Sequence, residues 1–232
     1  YCPEPSGGIA DYAHSQAVAI SSFGVDVTLL APSNFVHQCT PYLLQAELPV
    51  ATHQYGSRIL QRFSFAVRLL VHSRYLEATI RHSLHRQVLF TTYSEYLAPL
   101  WAWRFRRLRQ RGVHFAAVVH DPVRNFQVGP RWWHRWSIAE GYSFLEQAFV
   151  HAPIELDTVR PMPNLQVAVI PCGPFYFPSS SLSRAQVRRQ LGVPLSSPLL
   201  LCFGRLRTDK NLNLILEALS KHPTAHLLVA GP

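Results

Sequence analysis

The sequence is poor in cysteine and has no long hydrophobic run. Its four cysteines, at positions 2, 39, 172 and 202, are too few and too scattered for a disulfide framework, which favours a reducing, cytoplasmic setting. No stretch of 18 uncharged apolar residues occurs, and this excludes a membrane-spanning helix. No leader of charged and then apolar residues follows Tyr1, and the chain stops at Gly231-Pro232, directly after a strand-like run. We therefore expect both ends to be cut.

Acidic residues are scarce in one segment. Lysine and arginine together number 22 and aspartate and glutamate 13, a net charge of +9. Residues 57–112, here called the basic block, hold eleven arginines against two glutamates, which is the same +9. The chain is 48% hydrophobic and 15% charged, which is typical of a globular protein. A single basic block predicts one face that meets something anionic, such as a membrane surface.

Short apolar runs alternate with longer amphipathic stretches. This alternation is typical of βαβ units, in which helices connect parallel strands. The predicted buried strands are Val25–Ala31, Val88–Thr92, Phe115–His120, Gln147–His151, Val167–Pro171, Leu199–Phe203 and His226–Ala230. The sequence therefore predicts an α/β protein built on parallel sheets.

Helical periodicity appears between these runs. Residues 9–23 predict a helix whose inward face holds Ile9, Tyr12, Ala13, Ala17, Ile20 and Phe23. Residues 95–110 predict another, with Leu97, Leu100, Trp101, Phe105 and Leu108 inward and Trp103, Arg106, Arg107 and Arg109 outward. That outer face is either a solvated surface or a contact for anionic lipid. Residues 57–86 are helical in composition, and their length predicts two helices.

A break rich in proline, glycine and serine lies at Pro171–Ser183. It divides the chain into a first α/β domain, residues 1–178, and the start of a second, residues 179–232. The second part holds only a β-α-β unit, and three elements cannot cover both faces of a parallel sheet. We expect this second domain to be incomplete.

Two glycines precede the first predicted helix. The segment Ser6-Gly7-Gly8-Ile9 leaves backbone N–H groups uncovered at a helix N-terminus, where the helix dipole favours negative charge. Gly7 and Gly8 are therefore candidates for binding a phosphate group. The alternative is a plain tight turn between a strand and a helix.

A second candidate loop follows the strand predicted at 199–203. It runs from Gly204 to Lys210 and leads into a helix, at the carboxyl end of a strand, where α/β proteins bind ligands. Arg205 and Lys210 lie five residues apart, so both cations can converge on a diphosphate. The alternative is that both are solvated loop charges.

His120-Asp121-Pro122 ends another predicted strand, again at a carboxyl edge. A histidine there can hydrogen-bond a sugar hydroxyl or support a developing charge, with Asp121 beside it. The alternative is that His120 caps the strand and Asp121 caps a following helix. The other eleven histidines show no metal-ligand spacing, so neither a metal nor a cofactor is expected.

These segments, in this order, resemble retaining glycosyltransferases of the GT-B fold, the glycosyltransferase family 4-like group that includes sucrose-phosphate synthase and bacterial mannosyl- and glucosyltransferases. The matching segments are Pro5-Ser6-Gly7-Gly8-Ile9, His120-Asp121-Pro122, Val169-Ile170-Pro171-Cys172-Gly173, Phe203-Gly204-Arg205-Leu206 and Lys210-Asn211-Leu212. The resemblance spans nearly the whole chain. The glycine-rich loop and the loop that ends at Lys210 are its most specific parts.

The resemblance implies an enzyme that transfers a sugar from a nucleotide-sugar donor to a glycan or lipid-linked acceptor, with retention of configuration and without a metal. It implies two Rossmann-like domains, the first for the acceptor and the second for the donor. The residues that match the donor-diphosphate site are Gly7, Gly8, Arg205 and Lys210. His120 matches the histidine that contacts the transferred sugar near its reacting carbon, and Asp121 supports it.

The sequence departs from the family at two points. The family's glutamate pair, E-x7-E, lies beyond the position where this chain ends, and Cys172 replaces the usual third residue of the linker motif. A catalytically inactive fragment that acts as a binding module is therefore an alternative. A nucleic-acid-binding protein, suggested by the isoelectric point near 9.8, is disfavoured because no binding motif accompanies the charge.

Overall fold

The chain folds into two compact units, Tyr1–Tyr176 (unit 1) and Phe177–Pro232 (unit 2). The computed structural model describes residues 1–50, 57–124, 127–173, 180–204, 206 and 210–231, and of Arg58 only the backbone. The predicted boundary between residues 178 and 179 lies outside the described residues. Every strand pair in the described part of the chain is parallel, which confirms the predicted α/β class.

The described residues of unit 1 contain six strands. They are β1 (Thr28–Pro32), β2 (Leu43–Leu48), β3 (Gln87–Phe90), β4 (His114–Val118), β5 (Gln147–Val150) and β6 (Gln166–Val169). Strands β1 and β2 form one pair, and β3 to β6 form a four-stranded sheet in chain order. Tyr1 and Cys2 join the two: Cys2 N–H donates to Leu30 O, the Tyr1 amino group to Leu89 O, and Thr91 N–H to Tyr1 O.

Four long helices accompany these strands. They are α1 (Gly8–Ser22), α2 (Arg58–His82), α3 (Ala98–Arg109) and α4 (Arg131–Tyr142), with a short 3-10 turn at Glu95–Leu97. The prediction of two helices within residues 57–86 is wrong. Residues 58–82 contain neither glycine nor proline, so nothing in the sequence interrupts helix α2.

The core of unit 1 is aromatic. Rings of Phe90, Trp101, Phe105, Phe115 and Phe144 meet edge-on or tilted, with centroids 5.3–6.2 Å apart. Two residues that were predicted to lie on the inward faces of helices are exposed instead. Leu100 is 45% exposed, because Ala98 and Ala102 take the close-packed positions beside Trp101. Phe23 is exposed because α1 ends at Ser22.

Unit 2 contains the predicted β-α-β unit and, before it, a helix that was not predicted. It contains α5 (Arg184–Gln190), β7 (Leu199–Phe203), α6 (Leu212–Ser220) and β8 (His226–Ala230). Helix α5 starts with a reciprocal capping box between Ser183 and Gln186. Among the described helices of both units, none is long and apolar enough to cross a membrane.

Candidate functional site

The N-terminus of α1 is open. Gly7 is the N-cap, with φ 86° and ψ −175°, a backbone conformation that only glycine adopts easily. In the described part of the chain no side chain caps the helix, and no atom apart from the adjoining residues and the helix's own backbone lies within 4 Å of the position a Cβ would take at Gly7 or Gly8. A helix leaves its first N–H groups without intrahelical partners, so this end can bind an anion such as a phosphate.

His120 lies two residues beyond the end of β4. Its Nε2 is 2.9 Å from the carbonyl oxygen of Thr91. Since a carbonyl oxygen only accepts, Nε2 carries the proton and Nδ1 keeps its lone pair. Burial, reinforced by the nearby His151, lowers the pKa of His120. The ring is therefore a neutral hydrogen-bond acceptor at neutral pH.

Helix α1 brings the open N-terminus and His120 together. Tyr12 lies four residues after Gly8, about 6 Å along the helix axis. Its ring meets that of His120 edge-on, with centroids 5.1 Å apart. Burial raises the pKa of Tyr12 to about 12, so the phenol stays neutral. The structure thus places Gly7, Gly8 and His120 at the same carboxyl edge of unit 1.

A second histidine, which the sequence analysis did not single out, lies beside them. The His151 ring is centred 5.3 Å from that of His120 and 5.3 Å from that of Tyr12. A signal for it exists in the sequence. The pattern Val-His-x-Pro occurs at 119–122 and again at 150–153, each time at the end of a predicted strand.

Asp121 is exposed and forms no hydrogen bond with His120 in the described part of the chain. The alternative in which it caps a helix is wrong, because the next helix, α4, begins only at Arg131 with Pro130 as its N-cap. The loop after His120 is instead anchored by Arg124.

Arg124 is a buried cation that the sequence analysis did not single out. Its guanidinium, 4% exposed, pairs with Glu95 and donates to Tyr142 Oη at 2.8 Å and to Asp157 O at 2.7 Å. Although burial opposes it, the Glu95 carboxylate raises the pKa of Arg124, which keeps the pair ionised. This network fixes the loop that follows His120.

The second candidate loop is described only in part. Gly204, at the carboxyl end of β7, lies against Gly231 at the end of β8, where an added Cβ would stand 2.1 Å from Gly204 O. Lys210 is exposed and precedes Asn211, the N-cap of α6. Arg205 lies outside the described residues. The roles predicted for Arg205 and Lys210 remain predictions.

Among the described residues, no group of three or more histidine, cysteine, aspartate or glutamate side chains is arranged to hold a metal ion. The four cysteines are free thiols, with Cys2 and Cys202 buried and Cys39 and Cys172 exposed.

Comparison with known proteins supports the fold. No family model matches the chain, and no curated protein matches it in sequence. Among solved structures, it is similar to sucrose-phosphate synthase from Thermosynechococcus elongatus, with a TM-score of 0.64 and 17% sequence identity. The match covers 97% of this chain and 57% of that chain, so this chain spans a little over half the length of its structural relative. The chain therefore has the α/β architecture of the GT-B fold.

Proposed function

We propose that this protein is a glycosyltransferase that moves a sugar from a nucleotide-sugar donor to a glycan or lipid-linked acceptor, with retention of configuration. One observation carries the proposal. An open helix N-terminus, which offers N–H donors, and a neutral histidine, which offers a lone pair, occupy one edge of unit 1. The donors suit a diphosphate and the acceptor suits a sugar hydroxyl, and a nucleotide sugar contains both groups.

In the proposed reaction, the bond between the anomeric carbon and the diphosphate oxygen breaks, and a bond from that carbon to an acceptor hydroxyl oxygen forms. The acceptor proton passes to the departing diphosphate. Gly7 and Gly8 contribute N–H groups toward the diphosphate, and Arg205 and Lys210 contribute positive charge. The leaving group gains negative charge in the transition state, so fixed cations and N–H dipoles stabilise that state most. His120 contacts the transferred sugar.

The test is turnover with a panel of nucleotide sugars, such as UDP-glucose, UDP-N-acetylglucosamine and GDP-mannose, with an oligosaccharide or a polyprenyl-linked sugar as acceptor. We expect release of nucleoside diphosphate, a product with the donor's anomeric configuration, and a loss of activity in His120→Ala. Binding of a nucleotide sugar without turnover would favour the binding-module alternative. Binding of none would contradict the proposal.

We also propose that helix α2 brings the protein to anionic membranes. The basic block does not form one free surface. On α3, Arg104 pairs with Glu77, Arg106 with Glu140 and Arg109 with Glu146. Arg62 and Arg74 on α2 have no carboxylate partner in the described part of the chain. On α3 Arg107 is also without a carboxylate partner among the described residues and lies over the Trp103 ring, so the available positive charge is mainly, but not wholly, on α2.

Helix α2 also exposes apolar side chains. Ile59, Phe63, Val67 and Val71 follow one another at a spacing of four residues and are 77%, 68%, 44% and 40% exposed. Residues at this spacing share one helix face. An apolar stripe with unpaired arginines on the same helix suits the interface of an anionic bilayer, where each basic residue contributes about 1 kcal/mol.

Vesicle co-sedimentation tests this second proposal. We expect binding to phosphatidylcholine vesicles that contain phosphatidylglycerol, with weaker binding at high salt. The double variant Ile59→Asp/Phe63→Asp should abolish binding, whereas Phe23→Asp, on an exposed phenylalanine after α1, should not. Binding that is indifferent to anionic lipid, or equal loss in both variants, would contradict a role for α2.

A further inference from the structure

Strands β4 and β5 end in the same four-residue pattern. Val119-His120-Asp121-Pro122 follows β4, and Val150-His151-Ala152-Pro153 includes the last residue of β5. The strands are parallel, with Val118 level with Phe149, so two residues further on His120 lies level with His151. The register explains why the two rings are centred only 5.3 Å apart.

Neighbouring carbonyl groups fix the tautomer of both rings. His151 Nδ1 is 3.2 Å from the carbonyl oxygen of Ile170, the residue after β6, so in the neutral imidazole Nδ1 carries the proton and Nε2 keeps its lone pair. His120 has the opposite arrangement, with the proton on Nε2 and the lone pair on Nδ1. In their neutral forms the two imidazoles at the carboxyl edge therefore each offer one hydrogen-bond acceptor.

The acceptor of His151 has no partner. Its Nε2 is buried and makes no hydrogen bond in the described part of the chain. A buried acceptor left without a hydrogen bond is destabilising, so its presence calls for a donor from outside the chain. The Tyr12 ring, packed against both histidines, holds His151 beside His120.

We propose that His151 is a second sugar-binding residue of this site, whose Nε2 accepts a hydrogen bond from a hydroxyl group of the transferred sugar. This inference rests on the proposed glycosyltransferase function. Two acceptors on adjacent strands suit a ligand with two hydroxyl donors. They repel phosphate oxygens, which carry lone pairs of their own, whereas the N–H groups at Gly7 and Gly8 attract them. The two histidines thus suit the sugar part of the ligand, and the N–H groups at Gly7 and Gly8 suit its diphosphate part.

Two substitutions distinguish the roles of the two ring nitrogens of His151. In His151→Asn, the shorter amide can still donate to Ile170 O but leaves no acceptor at the Nε2 position. In His151→Gln, the longer amide places an acceptor there. We expect His151→Asn to weaken nucleotide-sugar binding by about 2- to 12-fold, the value of one hydrogen bond, and His151→Gln to restore part of it. Affinity for the nucleoside diphosphate alone should not change in either variant.

The control is His114→Asn, the same substitution at the opposite end of β4. Titration calorimetry with UDP-glucose and GDP-mannose, and with UDP and GDP alone, gives distinguishable outcomes. Selective loss of nucleotide-sugar affinity in His151→Asn supports the inference. Unchanged affinity in that variant overturns it and leaves the proposed function standing. A wild-type protein that binds none of the four ligands overturns both.

A measurement on the unmodified protein covers the case in which the variants do not fold. Nitrogen-15 spectra of the histidine rings report which nitrogen carries the proton. We expect His151 to be protonated at Nδ1 and not at Nε2, and the Nε2 resonance to shift when the nucleotide sugar binds but not when the nucleoside diphosphate does. A proton on Nε2 in the free protein, or no shift with the nucleotide sugar, would overturn the inference.

Discussion

The two ends of strand β4 carry histidines in opposite surroundings. At the amino end, His114 Nδ1 lies 2.7 Å from Glu146 Oε2, and the same carboxylate pairs with Arg109 at 3.2 Å. At the carboxyl end, no carboxylate pairs with His120 or His151 in the described part of the chain, and the Nε2 of His151 has no partner. The amino end satisfies its polar groups internally, whereas the carboxyl end keeps hydrogen-bonding capacity for a ligand.

The difference between the two ends of β4 indicates where a ligand-binding site is to be expected in this fold. Parallel strands bring all their carboxyl ends to one edge, and the loops there are free to hold ligands. Charged groups alone are a poor guide, because most arginines of α3 are paired within the chain. Polar groups left without partners at the carboxyl edge are the better guide.

The largest effect is expected from the buried pair that anchors the carboxyl edge. Arg124→Met leaves the mostly buried Glu95 carboxylate with a hydrogen bond from Tyr142 but without its cationic partner, and we expect the free energy of unfolding to fall by about 3–5 kcal/mol. At the amino edge, Arg109→Met removes a partly exposed pair and should cost less than about 1 kcal/mol. Urea unfolding measures both. Equal losses would remove the contrast between the two edges.

The next largest effect is expected in unit 2, in the loop that follows the carboxyl end of strand β7. If Arg205 and Lys210 bind the donor diphosphate, alanine at either position should lower kcat by about 10²-fold or more, since each stabilises charge that develops on the leaving group. Arg205→Lys should also lose activity, because an ammonium cannot reproduce the two-pronged contact of a guanidinium. Lys221→Ala, beyond α6, is the control. Wild-type kinetics in the Arg205 and Lys210 variants would show that they are solvated charges.

A smaller effect on stability and nucleotide binding is expected to distinguish Gly7 from Gly8 at the start of α1. Gly7 has positive φ with extended ψ, so Gly7→Ala should cost about 1–3 kcal/mol and weaken binding of UDP or GDP. Gly8 begins the helix with ordinary dihedrals and open space around its Cβ position, so Gly8→Ala should be tolerated. Thermal unfolding and nucleotide titration of the two variants give the comparison. Equal behaviour would mean that Gly7 conformation does not shape this end of the helix.

The smallest effect is a pH dependence of stability. Burial lowers the pKa of His14, His72 and His120 below the ordinary histidine value of about 6.5. As the pH falls below that value, the unfolded chain takes up these protons before the folded chain does, so stability decreases. We expect a lower urea midpoint at pH 5.5 than at pH 7.5, with a smaller difference in His72→Gln. A midpoint that rises on acidification would contradict the sign.

The strands of unit 2 were predictable because their sequence is locally consistent. Leu199–Phe203 and His226–Ala230 are apolar runs bounded by polar or turn residues, and both have the predicted bounds. Strand β2 was missed because Gln45 and Glu47 interrupt its apolar pattern, which reflects a strand that is largely exposed on one side. Local pattern therefore identifies strands with an unbroken apolar run better than strands whose apolar run is interrupted by polar residues, even though Leu201 and Phe203 of β7 are exposed.

The site was only partly predictable for a different reason. Gly7, Gly8 and His120 belong to recognisable local motifs. The residues that pair with one another at the site do not belong to such motifs. Glu95 and Arg124 are 29 residues apart in the sequence, and His120 and His151 are 31 apart. Each pair comes into contact only because the chain folds. The repeated Val-His-x-Pro pattern indicates that His151 belongs to the site once β4 and β5 are known to be neighbours.

Hydrogen exchange of the protein with UDP-glucose or GDP-mannose tests the central claim most directly, that the carboxyl edge binds the substrate. The N–H groups of Gly7 and Gly8 have no side-chain cap and serve as reporters. We predict slower exchange at residues 6–12, 119–122 and 150–153 with at least one of these ligands, and no change at residues 86–88 and 112–114 at the amino edge. Protection at the amino edge, or no protection by either ligand, would contradict the account.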